Sequence, residues 1–444
     1  MKIGAYVVSK QAKQSYANDN FDVRAWPGFE MVLDCLRRAD YQITYAGKDT
    51  AHQYDIVLVS ITSDCDWWPY LAERSQWTKS NTRVIIGGPG VLNVRPFLPY
   101  ADVFVLGRAE GIIIPLLEAE LKGDYLDNPS VIYSNQFDIN KQYSIAQAST
   151  LYPYKITLTN GKDYQESALG CPNKCYFCNY TWSRKYIGDG TFQAGVDGMF
   201  ASGNREHTMA DLIRIPTEQW QAEALLRITA LDGMSQRLRY QANKRISREM
   251  FREVLTRLAT IEKPHQLKIY NIVGYPNETI EDWQEYIEDI NQVDSKQPKG
   301  KQWQLLSHYT PFRAMPNTPS AIWPMSYQEY RGKVAKALKS PSMPGNVFYQ
   351  GNKFWAVEGM GTESLPTVIQ SAICLRGTED DSDKIMRLAR TSKYWGASTF
   401  AKRVTLEREF DVGRLFQSYT WESLPTRYIS TYIDYKLNKS ELIK

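Results

Sequence analysis

Gly170-Cys171-Pro172-Asn173-Lys174-Cys175-Tyr176-Phe177-Cys178 gathers three of the chain's six cysteines into one short segment. Thiolates this close in sequence converge on a common group: zinc, an iron–sulfur cluster, or a disulfide with one thiol left over. Structural zinc takes four ligands, usually from two separated pairs, so a zinc knuckle here would need His207 or a distant cysteine. Three thiolates on a four-iron four-sulfur (4Fe-4S) cluster instead leave one iron open for a substrate or cofactor.

The surrounding chain is that of an ordinary globular protein. Its 444 residues suffice for two or three domains with cores of their own. Apolar residues make up 43% and charged residues 23%, with no low-complexity tract and no internal repeat. The first apolar run, Ile3 to Val8, is too short for a signal segment, and no stretch reaches the length of a membrane span. A cytoplasmic, soluble protein with no membrane partner is the expectation, and a reducing compartment suits free thiols. A net charge of +4 with dispersed basic residues does not mark a nucleic-acid binder. The 29 tyrosines and 12 tryptophans could stack on a base or sugar, although such residues more often fill cores.

Upstream of the cysteines, strand and helix patterns alternate. Lys2–Ser9 is a β-branched and aromatic run, and Phe29, Val32, Leu33 and Leu36 form a helical stripe. A short strand at Gln42–Ala46 precedes Asp55–Ser60, which is continuously apolar in the manner of a strand buried on both faces. A helix-like segment, Trp67–Trp77, leads to Arg83–Gly90, and Asp102–Gly107 follows as a last strand. Short strands that end in glycine and are separated by helices predict an α/β, doubly wound parallel sheet with its crevice at the strands' carboxyl ends. The polar stretch that follows, rich in Asn, Gln, Ser and Tyr, reads as a linker over 126–150.

The Cys-x3-Cys-x2-Cys spacing, with aromatic Phe177 before the last cysteine, resembles the signature of the radical S-adenosylmethionine (radical SAM) superfamily. The resemblance implies that Cys171, Cys175 and Cys178 hold a 4Fe-4S cluster whose open iron chelates S-adenosylmethionine (SAM). It also implies reductive cleavage to a 5′-deoxyadenosyl radical that removes hydrogen from an unactivated carbon, with electrons from a flavodoxin- or ferredoxin-type donor. Val84-Ile85-Ile86-Gly87-Gly88-Pro89-Gly90 and Val105-Leu106-Gly107-Arg108-Ala109-Glu110-Gly111 resemble strand ends of the cobalamin-binding-like, Rossmann-like domain that precedes the barrel in one subgroup. Residues 10–28 contain no histidine, so cobalamin is a possible cofactor only without a protein histidine ligand.

On this resemblance the chain divides into a cobalamin-binding-like domain (1–125), a linker (126–150), a partial TIM-type (β/α)6 barrel (151–324) and a mixed, mainly helical C-terminal extension (325–444). Lys155–Thr159 would be the first barrel strand, and Asp211–Ile215 a second one, ending near Glu218, the acidic position of a Gly-Gly-Glu-like motif at the methionine end of SAM. Leu225–Ser235 resembles the fourth-strand region, in which Ser235 meets the SAM ribose and Arg239 follows, with Asp232 where many relatives carry Glu. Val273 and Gly274, in Val273-Gly274-Tyr275-Pro276-Asn277-Glu278-Thr279, resemble the fifth-strand ending that lies along adenine. Thr279 and Asp282 have capping-box spacing. Trp303–Phe312 resembles the sixth strand, which places His308 at the barrel mouth as a candidate catalytic group. Beyond 325 no motif is legible. Helical patterns fall at 326–339 and 380–390, a strand pattern covers 347–355, and the extension is expected against the open side of the barrel. Cys374 there is a candidate radical-quenching donor, set against the plainer reading of a buried, inert thiol.

Three functions compete on this reading. The first is radical modification or rearrangement of a small molecule, a nucleoside or a nucleic-acid-derived group, and the second is cobalamin-dependent methyl transfer. The third is a zinc-stapled protein that binds nucleic acid. A methylthio-transferring enzyme would need three N-terminal cysteines for another cluster, and that region offers Cys35 and Cys65 alone.

Overall fold

The computed structural model describes residues 1–8, 27–77, 81–158, 163–166, 168–171, 173–188, 205–206, 208–222, 226–261, 265–294, 303–326, 347–350, 353–356, 365–421, 423–426 and 428. Two six-stranded sheets organise it.

The first contains β1 (Ile3–Val7), β2 (Ile43–Tyr45), β3 (Ile56–Ser60), β4 (Arg83–Gly87), β5 (Val103–Val105) and β6 (Val131–Tyr133) in the order β2-β1-β3-β4-β5-β6. All neighbours are parallel except β5 and β6. β1 and β3 are buried along their whole length, as continuous apolar runs require. Ala5, Leu58 and Ile85 pack on one face with Phe29, Leu33 and Leu36 of the helix Pro27–Arg38. The stretch expected as a linker differs from that reading: Val131–Tyr133 joins this sheet, and Gly107 bridges to Ala146. Gly107 has φ +83°, and a Cβ there would lie 2.5 Å from the Ala146 carbonyl oxygen, so the close crossing needs glycine.

The other face of this sheet, lined by Val57, Val59, Val84, Ile86 and Phe104, belongs to a core that includes Trp67, Trp68, Ile369, Ile373 and Ile385. The helices Leu365–Arg376 and Ser382–Arg390 thus pack on the N-terminal sheet, and the same extension also meets the segment after the strand Trp303–Pro311, where Arg376 donates to the Ala321 and Trp323 carbonyls at 2.8 and 2.6 Å. The cause of the packing on the sheet is an apolar face that needs cover: Arg95–Tyr100, between β4 and β5, forms a single 3-10 segment instead of a full crossover helix. Arg95 pairs with Glu379 at 2.6 Å, and Tyr100 donates to the Ser382 carbonyl at 2.8 Å.

The second sheet runs β13 (Val347–Gln350), β14 (Lys353–Ala356), β12 (Trp303–Pro311), β11 (His265–Val273), β10 (Leu226–Ala230) and β9 (Arg205–Glu206), parallel except for the β13–β14 pair. Leu267, Ile269 and Leu305 meet Phe251, Val254, Leu255 and Leu258 of the helix Arg248–Thr260, and Trp283, Tyr286 and Ile290 of the helix Ile280–Asp294. Two expected barrel strands are otherwise. Ile156–Thr157 (β7) pairs antiparallel with Asp163–Tyr164 (β8) in a separate two-stranded ribbon. Asp211–Ile215 falls largely within the helix Met209–Arg214, because Thr208 and Asp211 form a capping box that starts a helix with Met209 and Leu212 turned inward. The helix expected over 326–339 lies, apart from residue 326, outside the described residues, as does His207. Among the described residues, no helix is long and apolar enough to cross a membrane.

Candidate functional site

The cysteine loop is held at both ends by backbone bonds that leave its side chains as the variable element. Thr181, fully buried, donates its hydroxyl to the carbonyls of Cys171 (2.9 Å) and Asn173 (2.5 Å). Trp182 Nε1 donates to the Cys175 carbonyl at 2.8 Å, and Asn243 Nδ2 to that of Lys174 at 2.7 Å. The Tyr176 amide reaches the Ala242 carbonyl at 2.9 Å, while the Ser320 amide donates to Tyr176 at 3.1 Å. Each carbonyl so bound is removed from competition for the loop's interior.

The loop sits at the carboxyl ends of β10 and β11. Asp232, two residues beyond β10 with φ +57°, pairs with Lys244 Nζ at 2.7 Å, and Tyr275, two residues beyond β11, donates its hydroxyl to the Asp232 carbonyl at 2.9 Å. This is the end of a parallel sheet at which side chains from several strands can meet one ligand.

Cys171, Cys175 and Cys178 are all free thiols, so the disulfide alternative is set aside. Burial pushes Cys175 up to about 12; Lys244 opposes this, and Asp232, Cys178 and Cys171 add to it. Burial likewise raises Cys178, with the nearby backbone amides of Thr181 and Tyr180 acting in the opposite direction. The three sulfurs therefore lie within one another's electrostatic reach. Ionising them together requires a cationic centre. That donor set fits an iron–sulfur cluster. Among the described residues, no three Cys, His, Asp or Glu side chains close on a site for a single ion.

The other sequence candidates divide by location. Phe177 stands 6.4 Å from the Tyr275 ring, beside the loop. Val273 is buried at the end of β11, and Gly274, at φ +84°, donates its amide to Glu278 at 2.6 Å. Ser235 caps the helix Gln236–Gln241 by accepting from the Leu238 amide, and its hydroxyl donates to Asp282 at 2.5 Å. Arg239 is wholly buried and binds the carbonyls of Gly233, Met234 and Ile246. Burial lowers it to about 10. Its guanidinium thus holds the turn that carries Ser235.

Glu218 lies in the helix Thr217–Ala222 with an exposed side chain, not at a strand end, because the segment before it is helical. His308 pairs with Tyr270 within β12, three residues before that strand ends, and its side chain lies outside the described residues. Cys374 is buried in the helix Leu365–Arg376 within the core of the N-terminal sheet. Sequence reading passed over Thr181, Lys244 and Tyr275, none of which belongs to the cysteine spacing.

A cavity of about 340 Å³ opens at the carboxyl ends of the first sheet. Ser60, Gly87 and Leu106 at the ends of β3, β4 and β5 line it, together with Asn179, Tyr180 and Arg184 from the segment just after the cysteine loop. This is the crevice expected for a doubly wound sheet.

No protein-family model and no curated protein matches the chain. Among solved structures it is similar to the radical SAM methyltransferase TsrM from Kitasatospora setae, solved with tryptophan substrate and a SAM analog, at TM-score 0.46 and 11% identity over 79% of each chain. It is also similar to the cobalamin-dependent SAM radical enzyme OxsB in its apo form, at TM-score 0.27 and 10% identity, with 100% of this chain spanning 56% of that one.

Proposed function

We propose that this chain is a radical SAM enzyme, with Cys171, Cys175 and Cys178 as ligands of a 4Fe-4S cluster. The observation that carries the reading is the anchored loop of three free, mutually interacting thiols at the carboxyl ends of β10 and β11. A cluster bound there would supply the electron that cleaves SAM to methionine and a 5′-deoxyadenosyl radical. The chain's own contribution is positional. Thr181 and Trp182 fix the loop backbone, the Asp232–Lys244 pair lies beside Cys175, and the Thr181 amide donates to the Cys178 carbonyl at 3.2 Å. Ser235 and the Val273–Gly274 backbone stand at the neighbouring strand ends, where they are candidates for contact with SAM, and a flavodoxin- or ferredoxin-type protein is the proposed electron donor. The test is anaerobic reconstitution. About four irons per chain and release of 5′-deoxyadenosine on reduction with SAM support the reading, whereas a colourless protein with stoichiometric zinc refutes it.

The cavity favours a second reading, cobalamin-dependent methyl transfer, because it lies at the carboxyl ends of a doubly wound sheet and is lined also by residues that flank the cysteine loop. Retention of hydroxocobalamin through gel filtration, followed by its visible spectrum, decides between the two.

A further inference from the structure

Arg184 lies six residues past Cys178 and contributes to the cavity wall. Two carboxylates are near, but Arg108 engages both: it grips Glu166 through both guanidinium nitrogens, at 2.6 and 3.1 Å, and meets Glu110 at 2.8 Å. Glu166 also accepts the Tyr152 amide at 2.8 Å. Arg184 itself has neither an ion pair nor a side-chain hydrogen bond among the described residues. It lies over the Tyr180 ring, whose centroid is 4.3 Å away, and feels Glu166 and Glu110 through space without a hydrogen bond to either. The Asn179 Oδ1 atom, on the same wall, is buried without a hydrogen-bond partner. Arg108, Glu110 and Glu166 line the cavity too, already paired with one another, and the rest of the lining is mainly apolar, with Phe29, Met31, Leu58, Val91 and Leu92 among it.

A guanidinium carries five N–H donors in a planar fork, and leaving them unanswered inside a protein is costly. The group that answers them best is a planar carboxylate bound through two parallel hydrogen bonds. Around it the apolar wall favours a hydrocarbon or aromatic body, and a volume of about 340 Å³ falls at the small-molecule end of ligand cavities. We propose that this cavity binds a small carboxylic acid with an apolar body, its carboxylate paired with Arg184 and its body against the carboxyl ends of the first sheet. No thiolate enters this argument, so the inference stands or falls apart from the iron chemistry.

The test compares 3-phenylpropanoate with its neutral isostere 3-phenylpropanamide by calorimetric titration into the full-length protein, with and without reconstituted iron. The acid is expected to bind more tightly than the amide. Arg184→Gln should raise the dissociation constant of the acid by about tenfold to a hundredfold, the worth of a charge-assisted hydrogen bond, and leave that of the amide unchanged. Arg184→Lys, which keeps the charge and loses the fork, should fall between them. The acid–amide comparison on the unmodified chain needs no variant to fold. Equal affinity for acid and amide overturns the proposal, as does a preference that survives in Arg184→Gln. Inorganic phosphate that binds as tightly as the acid would remove the apolar body from it, and hydroxocobalamin that abolishes the acid's binding would assign the cavity to the corrin.

Discussion

Thr181→Val removes one hydroxyl and keeps nearly the same shape, at a position with no solvent access. That hydroxyl serves two carbonyls, Cys171 at 2.9 Å and Asn173 at 2.5 Å, with a single proton. The loss is therefore about one hydrogen bond, ~1 kcal/mol net, plus part of the penalty for buried acceptors left unanswered, which brings the total to about 1–2 kcal/mol. It falls on the segment joining the first two cysteines, so it acts on how well the loop keeps its bound group. Global unfolding averages over two sheets and several cores, so it dilutes a loss confined to this loop. Iron release from the reconstituted protein to an excess of chelator reads the loop directly. One to two kcal/mol predicts release about 5–30 times faster than in the unmodified protein. Thr181→Ser restores the donor and should restore the slow rate. If Thr181→Val loses iron at the original rate, the hydroxyl does not hold the loop; if the serine variant is as leaky as valine, the methyl group's packing and not the hydrogen bond was responsible.

Alanine at Cys171, Cys175 or Cys178 should each abolish iron incorporation and 5′-deoxyadenosine release together, since a three-thiolate site has no ligand in reserve; full activity in any one variant removes that cysteine from the set. Asp282 collects Arg237, Ser235 and the Thr279 amide; burial alone would raise its carboxyl, but these hydrogen bonds outweigh it and hold the carboxyl below the usual range. A depressed folded value contributes stability that is present above the unfolded carboxyl's pKa and lost as pH falls through the folded one. Asp282→Asn should accordingly cost about 1.5–3 kcal/mol at neutral pH and flatten the acid limb of the stability profile, read by urea unfolding followed by tryptophan fluorescence at several pH values; an unchanged limb would refute the assignment. Gly88 has φ +109°, and a Cβ there would lie 2.5 Å from the Ile61 carbonyl oxygen, so Gly88→Ala should cost at least about 1–3 kcal/mol. A thermal midpoint equal to that of the unmodified protein would show that the crossing can move.

The parts of this fold that can be read from sequence are those whose burial is local in origin. Ile56–Ser60 is apolar at consecutive positions, which a strand satisfies only when both its faces are covered, and it is found at the centre of the first sheet with all five residues buried. Phe251, Val254, Leu255 and Leu258 recur at helical spacing and are turned into one core. Where two local signals conflict, the apolar pattern misleads. Leu212, Ile213 and Ile215 suggest a strand, yet Thr208 and Asp211 stand three apart and close a capping box, and that turn starts a helix. The weight given to Glu218 depended on the strand, so it falls with it. Ile156–Thr157 shows a different limit: its extended form was legible, but its partner was not, because a two-residue strand carries no information on which sheet it joins.

The site divides along the same line. Cys171, Cys175 and Cys178 are candidates because of their spacing, and Ser235 because Leu225–Ser235 resembles the fourth-strand region of the radical SAM superfamily; the structure adds that Ser235 caps the helix that follows. Arg184 could not be found in this way. An arginine becomes informative when the carboxylates around it are already engaged, and Glu110 and Glu166 are claimed by Arg108, 76 residues earlier in the chain than Arg184. Likewise Lys244 acquires a role only once the chain brings Asp232 and Cys175 to it at the ends of two strands. What the sequence conceals is therefore less the identity of reactive groups than the prior engagement of their neighbours, and a charged side chain left over after that reckoning is where a ligand should be sought.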